Sequence, residues 1–239
     1  MVGLQGSTRF RKYGIVIEEV CQSSSELLRP YGTDYFEGLW NHPSPWIEEP
    51  NYRRGGWSSV SRITLPNNAD RTGQIAYLKR HENHTYRALH TFLSKAPTLE
   101  REFNNLRALE ELGFTVPQPV YFGRRVHEGK LQAILLLKEL PRFQSLSVYV
   151  KQCQDKGAKV SDAVIRAVAQ ETVRLHDCGW AHRCLYLKHV YVRESDDGSV
   201  DVALIDLESA RKRLWMVERQ RLRDLGSFYR RSRGCEVSR

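Results

Sequence analysis

Three charged residues in this chain stand on long apolar elements, and their order constrains the fold more than any other feature. Lys79 closes the strand-like run Ile75-Ala76-Tyr77-Leu78, Glu102 lies within an apolar helical stripe, and Asp206 follows Val202-Ala203-Leu204-Ile205. A charge carried by a buried element is costly unless a partner or ligand compensates it. Each of the three therefore demands an account from the surrounding fold.

Residues 1–50 form an aromatic-rich lead-in with Tyr31, Tyr35, Phe36, Trp40 and Trp46 among prolines and glycines, which is expected to pack onto a neighbouring sheet. Arg54-Gly55-Gly56-Trp57 then opens an alternating stretch through Leu65, read as two strand arms around a glycine turn. Gly55 and Gly56 suit a loop covering phosphate, although an ordinary hairpin uses the same pair. Beyond Lys79, Thr98 can cap a helix running to Gly113, with Leu99, Phe103, Leu106, Leu109 and Leu112 as its apolar positions. Glu102 projects from that stripe, four residues before Leu106. Lys79 on the neighbouring strand could supply the cation Glu102 needs; a plain interface ion pair is the other reading.

Pro117, Pro119 and Gly123 punctuate the next strand, and His127-Glu128-Gly129-Lys130 turns into the buried run Leu131–Leu137. That run stops at Lys138-Glu139-Leu140-Pro141, a hinge whose backbone could hydrogen-bond an adenine edge. Ser161 caps a helix through Val164, Ile165, Val168, Thr172 and Leu175, closed by Gly179. Next come Ala181–His189 and a hairpin, Lys188–Val192 with Val200–Ile205 around Ser195-Asp196-Asp197-Gly198, ending on Asp206. This succession is how a protein-kinase-like fold lays out a phosphoryl-transfer site, with the hairpin acid binding Mg²⁺. The position of the catalytic Asp holds Cys184, and the usual Asn five residues on is His189. Zinc is a competing use for His176, Cys178, His182, Cys184 and His189, but paired Cys-x-x-Cys knuckles are absent and the spacing argues against it. Turn histidines bonded to backbone carbonyls are the plainer alternative.

Four stretches together resemble the lipopolysaccharide core kinase family, the Kdo/WaaP group, and its InaA-like members. They are Arg53-Arg54-Gly55-Gly56-Trp57-Ser58, Tyr77-Leu78-Lys79-Arg80, Pro97-Thr98 with Arg101-Glu102-Phe103 and Asn105-Leu106, and Leu185-Tyr186-Leu187-Lys188-His189 leading to Leu204-Ile205-Asp206-Leu207-Glu208. Arg223-Asp224-Leu225 extends the likeness towards the end. The resemblance implies an α+β, protein-kinase-like bilobal fold: an extension over 1–50, an antiparallel-sheet N-lobe over 51–140 and a compact helical C-lobe over 141–239. It also implies ATP and Mg²⁺ as cofactors, and a sugar hydroxyl of the lipopolysaccharide inner core as acceptor, at the inner face of the cytoplasmic membrane. By position, Lys79 would touch phosphate and Glu102 would orient it. Gly55, Gly56, Glu139 and Leu140 would flank the nucleotide, His189 would stand at the second metal or phosphate position, and Asp206 would bind Mg²⁺. Asp224 matches an acid that supports the catalytic turn. Better characterised members carry Asp where Cys184 stands, and a thiol is a poor Mg²⁺ ligand. His182 or Asp177 could substitute. A nucleotide-binding pseudokinase without turnover and an anionic-membrane-surface binding protein are the rival readings.

The net charge of +9 concentrates at one end, where residues 211–239 hold ten Lys/Arg against three acids. With Leu214, Trp215, Met216, Val217, Leu222, Leu225, Phe228 and Tyr229 interleaved, this reads as a basic amphipathic helix suited to anionic membranes or phosphorylated glycolipids, or as a solvated helix with one face on the core. No finger spacing or RNA-binding signature accompanies the charge, which argues against nucleic acid. Cys21, Cys153, Cys178, Cys184 and Cys235 are an odd, irregular set, expected to be reduced thiols. The chain shows no apolar run of about 18 residues and no signal-peptide core, so a cytoplasmic protein is expected.

Overall fold

The computed structural model describes residues 4–11, 14–21, 25–32, 35–53, 55–66, 73–87, 95–213 and 217–232. Arg54, Cys235 and the residues named above within 214–216 and 233–239 lie outside the described residues. The chain divides into two units, residues 1–104 with 118–139 and residues 105–117 with 140–239.

The first unit is built on a seven-stranded antiparallel sheet. Its strands are β1 (Leu4–Arg11), β2 (Gly14–Cys21), β3 (Trp46–Arg53), β4 (Gly56–Leu65), β5 (Gln74–Glu82), β8 (Pro119–His127) and β9 (Lys130–Lys138), in the order β1-β2-β8-β9-β5-β4-β3. Two short strands, β6 (Thr85–Arg87) and β7 (Lys95–Pro97), pair separately. The lead-in supplies β1 and β2 as well as helix α1 (Tyr35–Trp40), whose Phe36 and Leu39 join Ile63, Leu78, Tyr121 and Ile134 in the core. In β2 the alternation is broken because Glu18 is buried, held by the Tyr121 hydroxyl at 3.0 Å. Strand β9 lies inside the sheet between β8 and β5, which is why Ala133–Leu137 is an unbroken apolar run buried on both faces. The β8–β9 turn places Glu128 and Gly129 at φ 50 and 73, the positive angles of a tight hairpin.

Strand β5 separates its neighbours in sequence by its period of two. Ala76 and Leu78 face the core, and Arg80 continues that side, 4% exposed, donating to the carbonyls of Trp40 and His42 at 2.9 and 3.1 Å. Tyr77, Lys79 and His81 point the other way. There His81 Nδ1 meets the Thr98 hydroxyl at 3.1 Å, where helix α2 (Thr98–Glu111) begins. Thr98 is the first helical residue, and its hydroxyl serves His81 and His84. Leu99, Phe103, Leu106 and Leu109 are buried, whereas Leu112 falls past the last turn and is 41% exposed. Gly113, at φ 78, ends the helix as its spacing predicts.

The second unit contains α3 (Leu146–Asp155), α4 (Asp162–Asp177) and α5 (Val217–Ser232). A three-stranded sheet runs β10 (Gln144–Ser145), β12 (Val190–Glu194), β13 (Val200–Leu204), and a two-stranded ribbon pairs β11 (Trp180–Ala181) with β14 (Arg211–Lys212). Ser145 and Ser161 cap α3 and α4 by accepting from Val148 and Ala163 N–H. Ile165 is 54% exposed rather than part of the core stripe of α4. Among the described residues Cys153, Cys178 and Cys184 are free thiols, and no helix is long and apolar enough to cross a membrane.

Burial, reinforced by the nearby charges of His84 and Lys79, holds the His81 pKa well below the usual histidine range. The unfolded chain takes up a proton near pH 6.5 that the folded ring refuses, so stability is lost as pH falls below about 6.5. Thermal melts from pH 7.5 to 5.5 should show a falling Tm for the native protein and a shallower fall for His81→Asn. Identical slopes would contradict this origin.

Candidate active site

In the first unit, β5 and the first turn of α2 bring Lys79 Nζ to 2.6 Å from Glu102 Oε1. The Glu102 side chain is 1% exposed and that of Lys79 16%, so the ammonium, not the carboxylate, has the route outward. Removing one partner of such a pair leaves a buried charge and costs about 3–5 kcal/mol. Gly55 and Gly56 form the tip between β3 and β4. Gly55 is exposed at φ 72, while a Cβ on Gly56 would meet the Glu82 carbonyl oxygen at 2.0 Å. Close approach of β5 alone therefore accounts for the second glycine. The first unit ends at Glu139 and the second resumes at Leu140. The Glu139 N–H is already bonded to Ile75 O at 3.0 Å, and its carboxylate accepts from Tyr77. An adenine edge would thus have to use other backbone groups of this hinge.

In the second unit, the turn after β11 is held by Asp224, a residue of α5 with 0% exposure. Its carboxylate accepts from His182 N–H at 2.8 Å, Arg183 N–H at 2.7 Å and His176 Nε2 at 3.1 Å. Arg183 takes φ 65, a left-handed conformation that a bonded backbone N–H helps to maintain. Leu185 and Leu187 of the same turn line an apolar cavity of about 560 Å³ with Val164, Val168, Leu225 and Phe228. Because one side of the turn borders that space, the hydrogen bonds to Asp224 carry much of its shape.

His182 is fully buried and its Nε2 bonds Ile205 O at 3.0 Å. Burial first, then the neighbouring His189, lowers its pKa, so the ring is a neutral strut fixing the strand exit before Asp206. Asp177, the other substitute considered for the missing base, is exposed and bonded by Arg221 at 2.6 Å. His189 has a different setting. Its Nδ1 bonds Cys184 O at 2.8 Å, and its Nε2 lies 3.2 Å from Asp206 Oδ2. Asp206 itself sits at φ 58, ψ 53, with its side chain 36% exposed. The three histidines of this region thus have separate partners, which disperses the set that zinc would need. His189 and Asp206 do fit a divalent ion. Adjacent ligands of an octahedral ion with bonds of about 2.1 Å stand about 3 Å apart.

Two important residues lie within the family-like stretches but were given no role by sequence reasoning. Asn105 donates to Leu207 O at 2.7 Å and Ala210 O at 3.0 Å, anchoring the chain just after Asp206. Its signal is a polar side chain on the apolar stripe of α2, three residues after Glu102. Arg80 is the second, visible only once the faces of β5 are assigned.

A lysine fixed by a helix-borne glutamate, a turn held by a buried aspartate and a hairpin ending on a partly exposed aspartate define a protein-kinase-like α+β protein. WaaP in complex with acyl carrier protein has this fold, with a TM-score of 0.62 over 90% of this chain and 82% of that one at 18% identity. The chain belongs to the lipopolysaccharide kinase (Kdo/WaaP) family, whose pattern it matches over residues 37–239. It is 32% identical over 184 residues to protein InaA of Escherichia coli strain K12, covering 76% of this chain and 81% of that protein. It is also 25% identical over 207 residues to the lipopolysaccharide core heptose(I) kinase WaaP of Pseudomonas aeruginosa, covering 81% and 76%.

Asp224→Ala strands three N–H donors inside the second unit and should lower its stability by about 3–5 kcal/mol in denaturant titrations. A loss below about 1 kcal/mol would show that packing, not this carboxylate, holds the turn.

Proposed function

We propose that this chain transfers the γ-phosphoryl group of ATP to a sugar hydroxyl of the lipopolysaccharide inner core. The observation that carries the reading is Asp206, held at the hairpin end beside His189 in a family of lipopolysaccharide kinases. Lys79, oriented by Glu102, would neutralise nucleotide phosphate, and Asp206 with His189 would hold Mg²⁺. When bound, the ion supplies positive charge to the phosphate oxygens. Gly55 and Gly56 would cover the nucleotide, and the backbone around Glu139 and Leu140 would flank its base. His182 and Asp224 act at one remove, by keeping the turn in shape.

Cys184 occupies the position from which a carboxylate would orient the acceptor hydroxyl. Phosphoryl transfer passes through a loose transition state in which positioning and charge dominate, so a thiol there is compatible with slow turnover. The same geometry without turnover is a nucleotide-binding pseudokinase. The outer side of α5 favours an anionic glycolipid surface. Leu222, Leu225 and Tyr229 are 71%, 50% and 59% exposed, alongside exposed Arg219, Arg223 and Arg230. That surface would bring a cytoplasmic protein to the inner face of the membrane.

Transfer of labelled γ-phosphate from ATP to lipopolysaccharide core should be measurable for the native protein, fall roughly 100-fold or more in Asp206→Ala, and rise roughly 100-fold in Cys184→Asp. Acceptor in anionic vesicles should be used better than detergent-dispersed acceptor, an advantage lost in high salt. Background transfer by all three proteins would leave the pseudokinase, and equal use of both acceptor forms would remove the membrane surface.

A further inference from the structure

We propose that Arg231 and Tyr186 form an oxyanion subsite beside the catalytic-like turn, which takes a carboxylate or phosphate carried by the acceptor sugar. The inference rests on the reading of this turn and Asp206 as the transfer site, and adds the group that recognises the acceptor.

Helical spacing brings Arg231 to the turn. Asp224 and Arg231 are seven residues apart on α5, two turns along one side and about 10 Å along its axis. Asp224 holds the start of the turn through the His182 and Arg183 N–H groups. Arg231 lies over its middle, with the guanidinium carbon 4.9 Å from the centre of the Tyr186 ring. The adjacent stripe of α5, Leu225, Phe228 and Ser232, lines the apolar cavity with Leu185 and Leu187. The turn is therefore divided. Its leucines are buried against that cavity, whereas the Tyr186 ring lies 5.3 Å from that of His189, whose Nε2 faces Asp206. The Tyr186 carbonyl accepts from His189 N–H at 2.9 Å, which fixes the backbone that carries the ring.

The second argument is the state of the guanidinium. Two other arginines of this unit lie over rings, Arg174 over Phe114 and Arg193 over Phe143. Each is spent on a carboxylate, Glu171 at 3.1 Å and Asp201 at 2.8 Å. Arg231 is exposed, and among the described residues no carboxylate pairs with it. A guanidinium lying over a ring keeps N–H donors free at its edge, where their fork matches two oxygens of a carboxylate or phosphate. The plainer reading is a cation favoured by the dipole at the last turn of α5, a duty that lysine performs equally well.

Calorimetric titration of lipid-free lipopolysaccharide core oligosaccharide into the full-length protein without nucleotide separates these readings. The native protein should bind, and Arg231→Gln and Arg231→Lys should each weaken binding roughly tenfold or more, with Tyr186→Leu in between. Reducing the carboxylates of the probe to alcohols, or stripping its phosphates, identifies the oxyanion. One of the two treatments should cost the native protein that same factor and cost Arg231→Lys little more. No binding by the native protein overturns the subsite. Native-like binding by Arg231→Lys, or native binding untouched by both treatments, also overturns it while leaving the transfer reading standing. Weaker Mg²⁺-ATP binding by Arg231→Gln overturns it too, because the oxyanion is then the nucleotide's. The expected losses without any phosphoryl transfer support the subsite and remove the transfer reading. The treated probes decide the matter on the native protein even if a variant fails to fold.

Discussion

The second unit depends on one buried carboxylate. Asp224 lies on α5, yet its three hydrogen bonds reach the last turn of α4 and the two residues that open the catalytic-like turn. A carboxylate with no exposure is tolerated only when its oxygens are occupied, and here they are. The basic helix is thereby part of the site's framework on one side while presenting arginines and apolar residues on the other. His182 continues the chain of support to Ile205, and Asn105 secures the backbone beyond Asp206. The partly exposed acid that would meet a ligand is the end point of a buried polar network.

The first unit reaches the same result through alternation. Lys79 and Arg80 are neighbours in sequence with opposite duties because a strand sends them to opposite faces. Arg80 is locked onto the α1 side by backbone carbonyls, and Lys79 meets Glu102 of α2. A shift of one residue in the β5 register would exchange these roles and bury the wrong cation.

What could be read in the sequence follows from which signals are local. The cap at Ser161, the stops at Gly113 and Gly179 and the hairpin ending on Asp206 depend on near neighbours, and Lys79 and Glu102 could be paired because both belong to strongly periodic elements. Strand β2 was obscured by Glu18, whose burial makes sense only with Tyr121 opposite it. His182 looked like a proton carrier because nothing local announces complete burial. Leu112 and Ile165 fit an apolar spacing but sit where the helix has ended or turned outward. Asn105 was hidden for the same reason, since its partners are about one hundred residues away in the chain.

Cys184 keeps fold and turnover apart as questions: its turn is held by Asp224 and its carbonyl accepts from His189, while its own side chain is a thiol where the proposed function would want a carboxylate. Whether the framework serves a nucleotide is the central claim. The most direct test is calorimetric titration of Mg²⁺-ATP into the native protein, Lys79→Ala and Asp206→Ala in parallel. The account predicts saturable binding by the native protein and markedly weaker binding by both variants. No binding by the native protein, or equal binding by all three, would contradict it.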